Sequence, residues 1–176
     1  YIKELNFPEN APRIRDEAIM LLEAPDCPVG KTTIILDGYQ TALQVHESCG
    51  HPVELDRVLG SEISYAGGSF LTLEKYGKFR YGSKLVNITA DATLAGGVGS
   101  FAYDDEGIKA QRIELVKYGI FTDYLSSRET APVIKKESNG AMRAESWNNI
   151  PLIRMTNINL EPGKPSFEEL IADTKD

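Results

Sequence analysis

Both histidines of the chain fall within six consecutive residues, His46-Glu47-Ser48-Cys49-Gly50-His51. Imidazole is a good ligand for Zn²⁺, and a carboxylate beside it can act as general base on a water that the ion activates. The familiar zinc-peptidase pattern, H-E-x-x-H, sets both rings on one helix face. Here the rings are one residue further apart, which separates them by about 140° on a straight α-helix. A π-bulge, with its i→i+5 bonding, would bring them nearly into line. Gly50 loosens that turn or lets a ligand approach closely. The spacing therefore predicts a metal site where the helix winds out or ends. Cys49 could coordinate, although a small buried apolar residue is the plainer reading of it. A catalytic zinc usually has three protein ligands. Glu54 and Asp56 could each serve as a ligand or as an outer partner for a ring N–H. A distant residue is the other option.

Other motifs carry less. Gly30-Lys31-Thr32-Thr33 resembles the end of a phosphate loop, but Pro25 stands where its first glycine belongs, and a strand is expected next. Gly96-Gly97-Val98-Gly99-Ser100 reads as a hinge. Asp104-Asp105-Glu106-Gly107 lacks the spacing of a calcium loop and reads as a solvated acidic turn, or as outer support for a metal. Asn139 could hold peptide backbone, and Arg143 and Arg154 could hold a peptide carboxylate.

The elements that must position these residues follow from pattern. Helical periodicity runs over 13–22 and again over 41–57, the metal-motif helix. Thr32–Leu36, Lys84–Thr89 and part of Pro151–Leu160 read as strands. Gln111–Val116 and Ile120–Leu125 flank Lys117-Tyr118-Gly119, a hairpin signal. Asp37-Gly38 reads as a turn, 60–82 as a long loop and 127–133 as a short helix. Ser166 and Glu169 form a capping box for a terminal helix. A few helices with antiparallel or mixed strands make an α+β class.

Composition bounds the rest. The chain has 176 residues, enough for one domain, and a net charge of −7, a poor match to nucleic acid or anionic lipid. Two cysteines make no disulfide scaffold, which favours a reduced, cytoplasmic setting. No apolar run is long enough to span a membrane. The first residue is Tyr1, so the chain reads as a piece of something longer.

Gly38-Tyr39 leading into His46-Glu47-x-x-Gly50-His51-x-x-Glu54-x-Asp56 resembles the TldD/PmbA family, the modulator of DNA gyrase family. Asp104-Asp105-Glu106-Gly107 with Gln111-Arg112 and the hairpin to Tyr124-Leu125 fit it in order. So do Ser138-Asn139-Gly140 with Arg143, Pro151, and Arg154-Met155-Thr156-Asn157. The match covers about 16–160, and the histidine motif marks the TldD-like, catalytic branch. The resemblance implies a cytosolic zinc metallopeptidase acting on unfolded or flexible peptides. His46 and His51 would be metal ligands and Glu47 the general base, and the peptide could add as a strand to a sheet edge. It also implies a homodimer, or a heterodimer with a PmbA/TldE-like subunit. The family's third ligand is a downstream cysteine that neither Cys27 nor Cys49 matches. Residues 1–176 then form one piece of the catalytic domain, without the N-terminal domain and C-terminal end. The alternatives are a non-catalytic peptide-binding or partner subunit and a metallohydrolase of another kind.

Overall fold

The computed structural model describes residues 2–64 and 67–174. They divide into two units, one holding the chain up to Ile34 together with Thr174, the other spanning Ile35–Asp173. The first unit contains α1 (Ile2–Leu5) and α2 (Phe7–Glu23). Helix α2 starts well ahead of the periodic stretch, with a proline in its first turn, where a missing N–H loses no bond. It runs through Pro12 and ends ahead of Pro25. Thr32–Leu36 forms no strand, and Ile34, Ile35 and Leu36 are exposed. β-branched residues favour a strand only where neighbours supply a half-buried pleated surface. Among the described residues nothing pairs with this run.

The second unit begins with a cap rather than a turn. Asp37 Oδ1 accepts the Gln40 N–H at 2.7 Å and starts α3 (Gly38–Val45). The winding then changes: a π turn at His46–Gly50, a 3₁₀ turn at His51–Val53, and α4 (Leu55–Val58). The expected helix over 41–57 is thus a composite.

Strands β1 (Ile88–Asp91), β2 (Arg112–Lys117) and β3 (Ile120–Phe121) follow. Then come β4 (Met142–Arg143), β5 (Leu152–Ile153), β6 (Ile158–Leu160) and α5 (Phe167–Asp173). The main sheet is antiparallel in the order β3-β2-β1-β6, and β4 pairs with β5 in a separate ribbon. The class is α+β. β1 starts later than its pattern suggests, because Val86 N–H turns back to Ser83 O at 3.1 Å. The β2–β3 hairpin turns through Tyr118 (φ 48°) and Gly119 (φ 76°), the pair of positive values that a tight type I′ turn needs. The expected helix over 127–133 is a 3₁₀ turn at Ala131–Ile134. The capping box forms: Ser166 N–H donates to Glu169 Oε2 at 2.7 Å, and Glu169 N–H to Ser166 Oγ at 3.2 Å.

Side chains from both sheet and composite helix make the core: Val53, Leu55, Leu115, Phe121, Tyr124, Leu125 and Ile153 are fully buried. Tyr124 Oη donates to Leu71 O at 2.6 Å and ties down the loop over 60–82, of which Tyr65 and Ala66 lie outside the described residues. Leu55 N–H and Leu125 N–H exchange bonds with Leu125 O (3.0 Å) and Val53 O (2.9 Å). That bridge fixes where the chain goes after the histidine motif.

Candidate metal centre

The site starts from one altered hydrogen bond. His51 N–H donates to His46 O, an i→i+5 bond, so the turn between the histidines is a π turn. Pro52 supplies a local reason: it has no N–H, so the α-helical ladder has no donor at that position. Gly50 sits in ordinary right-handed helix, φ −59°. Its missing Cβ leaves room for the Met155 side chain, whose sulfur a Cβ there would displace.

The result brings the two rings together. His46 Nε2 and His51 Nε2 lie 3.1 Å apart, with the rings edge to face and their centroids 4.7 Å apart. A tetrahedral zinc bound at about 2.0–2.1 Å would hold two nitrogens about 3.3–3.4 Å apart. Ligand atoms of His46, Glu47 and His51 all lie within 4.8 Å of one another, the one such group among the described residues. The donor set and spacing therefore fit zinc.

Behind His51, Glu54 is fully buried. Its Oε2 faces His51 Nδ1 at 3.2 Å and accepts from Arg57 Nε at 3.1 Å and Nη2 at 2.9 Å. A carboxylate only accepts, so this contact sets the proton on Nδ1 and leaves the Nε2 lone pair facing His46. Arg57 continues to Glu62 at 3.4 Å, and Glu62 Oε1 accepts from Arg154 Nη1 at 3.0 Å. Two carboxylates and two guanidiniums alternate, which is how charges can be buried without an unpaired one.

The other expected residues divide. Asp56 stays with the backbone: its Oδ1 accepts Arg57 N–H at 2.8 Å and its Oδ2 accepts Ile153 N–H at 3.0 Å, while burial pushes its carboxyl above the usual range. Cys49 is fully buried, and burial pushes its thiol up to about 12. Two hollows flank the histidines. One, of about 490 Å³, is lined by Glu47, His51, Arg57, Glu62 and Arg154, among others. The second, of about 440 Å³, is lined by His46, His51, Arg143, Arg154, Met155 and Asn157, among others. Arg143 and Arg154 thus join the histidines. Asn139 lines a different hollow, and its amide bonds Ser126 N–H (2.9 Å) and Tyr124 O (2.7 Å).

Two expected motifs prove to be scaffolding. The glycine run at 96–100 is closely fitted rather than a free hinge: Gly99 N–H donates to Asn157 Oδ1 at 2.8 Å. Asp104 is buried, not solvated, and accepts N–H bonds from Glu106, Ile108 and Met142. Arg57 and Glu62 are not anticipated, and Met155 figures only as part of the Arg154–Asn157 motif, with no packing role. Pro52, next to the second histidine, is the signal that could have marked the change of winding.

The family model described as PmbA/TldA metallopeptidase C-terminal domain matches residues 29–176, and the chain belongs to this family. A metalloprotease of Methanocaldococcus jannaschii is 39% identical over 97% of this chain and 36% of its own length. A zinc metalloprotease TldD homolog of Saccharolobus solfataricus is 28% identical over 84% of this chain and 31% of its own. A solved Thermotoga maritima structure, named for a modulator of a DNA gyrase, is 26% identical with a TM-score of 0.69. It covers 90% of this chain and 34% of that one. The chain spans about a third of the length of the curated relatives it matches. No helix among the described residues is long and apolar enough to cross a membrane.

Proposed function

We propose that this chain carries the zinc-binding part of a peptidase that hydrolyses unfolded or flexible peptides. The observation that carries the reading is the 3.1 Å approach of His46 Nε2 and His51 Nε2 with the Glu47 carboxylate beside them. His46 and His51 would hold the ion, and Glu54 holds the ring of His51 in the productive tautomer. When bound, zinc acidifies water and polarises a carbonyl. Glu47, beside both rings, would be the general base that holds the proton during hydrolysis. Arg143 and Arg154 face the same hollow and bind substrate, with Asn139 shaping the backbone from further off. Strand β6 is the last strand of its sheet, and Ile158 on it lines the hollow, so a peptide can add there as a further strand. None of the described Glu54, Asp56 or Cys49 atoms is presented to the pair as a third ligand. The family's downstream cysteine is the donor we assign, in a cytoplasmic dimer with a like or PmbA/TldE-like subunit.

The test uses the complete protein. Zinc content should be stoichiometric in the wild type and lost in His46→Ala. Glu47→Gln should keep zinc and lose cleavage of an unfolded peptide. A wild type without stoichiometric metal refutes the peptidase reading and leaves a non-catalytic peptide-binding or partner subunit. Cleavage retained by Glu47→Gln refutes the general-base role.

A further inference from the structure

We propose that Arg143 and Arg154 form a carboxylate clamp beside the histidine pair, so that the site selects peptides bearing a carboxylate near the bond to be cut. This rests on the peptidase reading above and narrows its substrate class.

The sheet register carries the argument. In the β4–β5 ribbon, Met142 faces Ile153 and Arg143 faces Leu152. Arg154 N–H donates to Ala141 O at 2.8 Å, extending the ladder by one residue. Side chains alternate across a strand. Ile153 is fully buried and Met142 packs against the core, so Arg143 and Arg154 both belong to the opposite face. They occupy diagonal positions, where Cβ atoms lie about 7–8 Å apart or somewhat less, within reach of long side chains. Two guanidiniums at that spacing can bracket one carboxylate. The same two residues line the hollow that holds both histidines.

Arg154 is held ready. Its Nη1 donates to Glu62 Oε1 and to Ile153 O, each at 3.0 Å, which fixes the guanidinium plane. Its Nε and Nη2 have no acceptor among the described residues. Besides His51, Arg154 is the one residue that lines both hollows flanking the pair. Arg143 is exposed and makes no ion pair among the described residues. Glu54 and Glu62 pair with Arg57 and Arg154, which leaves Arg143 as the guanidinium of this group with no ion pair among the described residues. Glu47 lines the first hollow, Glu145 lines a third one beside the two arginines, and the chain carries −7 overall, so the net field disfavours an anionic peptide. The paired guanidiniums are the local exception, and a held guanidinium grips a carboxylate in two-pronged fashion.

A peptide carboxylate comes either from the chain terminus or from an Asp or Glu side chain. One flexible peptide made four ways separates them: free acid or C-terminal amide, each with Glu or Gln beside the scissile bond. Cleavage by the zinc-loaded complete protein gives kcat/KM, and fluorescence anisotropy with the Glu47→Gln variant gives binding without turnover. A carboxylate form should be favoured about 10- to 100-fold in kcat/KM or in binding. The acid/amide ratio identifies the terminus, and the Glu/Gln ratio identifies a side chain. Arg143→Gln, at an exposed position, should bring the favoured ratio to about one with the fold retained. Both ratios near one in the wild type, by cleavage and by binding, overturn the clamp while leaving the peptidase reading intact. Carboxylate preference in binding with no cleavage by the wild type does the reverse. A preference that survives Arg143→Gln and Arg154→Gln also overturns it.

Discussion

Replacing Glu54 by Gln separates the scaffold from the metal centre. The side chain keeps its shape and loses its charge. In the native protein Glu54 Oε2 gathers His51 Nδ1 at 3.2 Å and two Arg57 donors at 3.1 and 2.9 Å. Bonds to a charged group contribute about 1.5–3 kcal/mol and neutral ones about 0.5–1.5. With two such bonds to Arg57 weakened, the metal-free protein should lose about 2–3 kcal/mol, softened by the remaining Glu62 partner. The second effect is on His51. Losing an outer carboxylate typically lowers metal affinity 10- to 100-fold, about 1.4–2.7 kcal/mol. Competition with a chromophoric chelator measures the affinity, and urea unfolding of the metal-free form measures the stability. If Glu54→Gln unfolds more easily yet binds zinc within about twofold of wild type, Glu54 supports the fold alone and the orientation argument fails.

Three further outcomes follow from the same geometry. Gly99→Ala places a Cβ 2.7 Å from the Thr156 carbonyl carbon and 2.9 Å from Asn157 N. Backbone must shift, so urea unfolding should show a loss of about 1–3 kcal/mol, and an unchanged midpoint would refute the fit. Alkylation at pH 8 followed by mass spectrometry should label exposed Cys27 and spare Cys49 until denaturant is added, because burial holds the Cys49 thiol near 12. The hydroxyl and amide of Thr93 hold the Asp91 carboxyl below its ordinary 3.8. The folded value lies below the unfolded one, so the stability it adds is present above that range and lost as pH falls through it. Asp91→Asn should therefore flatten the acid limb of a stability–pH curve, and an acid limb identical to wild type would count against the assignment.

What could be read from the sequence was local. The π turn was foreseeable because the histidines are its two ends, and its bond closes within six residues. The hairpin at Lys117-Tyr118-Gly119 and the Ser166–Glu169 box are likewise short-range, the first closing through backbone pairs and the second through side-chain oxygens that accept backbone N–H groups three residues away. Thr32–Leu36 was misread because its β-branched pattern says nothing about whether a partner strand exists. Asp104 was misread because an acidic turn looks solvated until its acceptor bonds to Met142, far along the chain, are seen. The Glu54–Arg57–Glu62–Arg154 chain crosses from helix to ribbon, and no spacing rule brings residue 154 to residue 62. Glu54 could be named as an outer partner from its i+3 position, but not Arg57, which makes that role stable.

The socket at Gly50 also exposes the centre to oxidants. Met155 is partly exposed, and its sulfur rests in the space that a Cβ at position 50 would occupy. Conversion of that thioether to a sulfoxide adds an oxygen and a dipole to an atom with no space on that side. The oxidised side chain would press on Gly50, the last residue of the π turn. Peroxide would then injure the metal centre through a methionine that binds no metal, while Cys49 stays shielded nearby. A methionine sulfoxide reductase could reverse that injury.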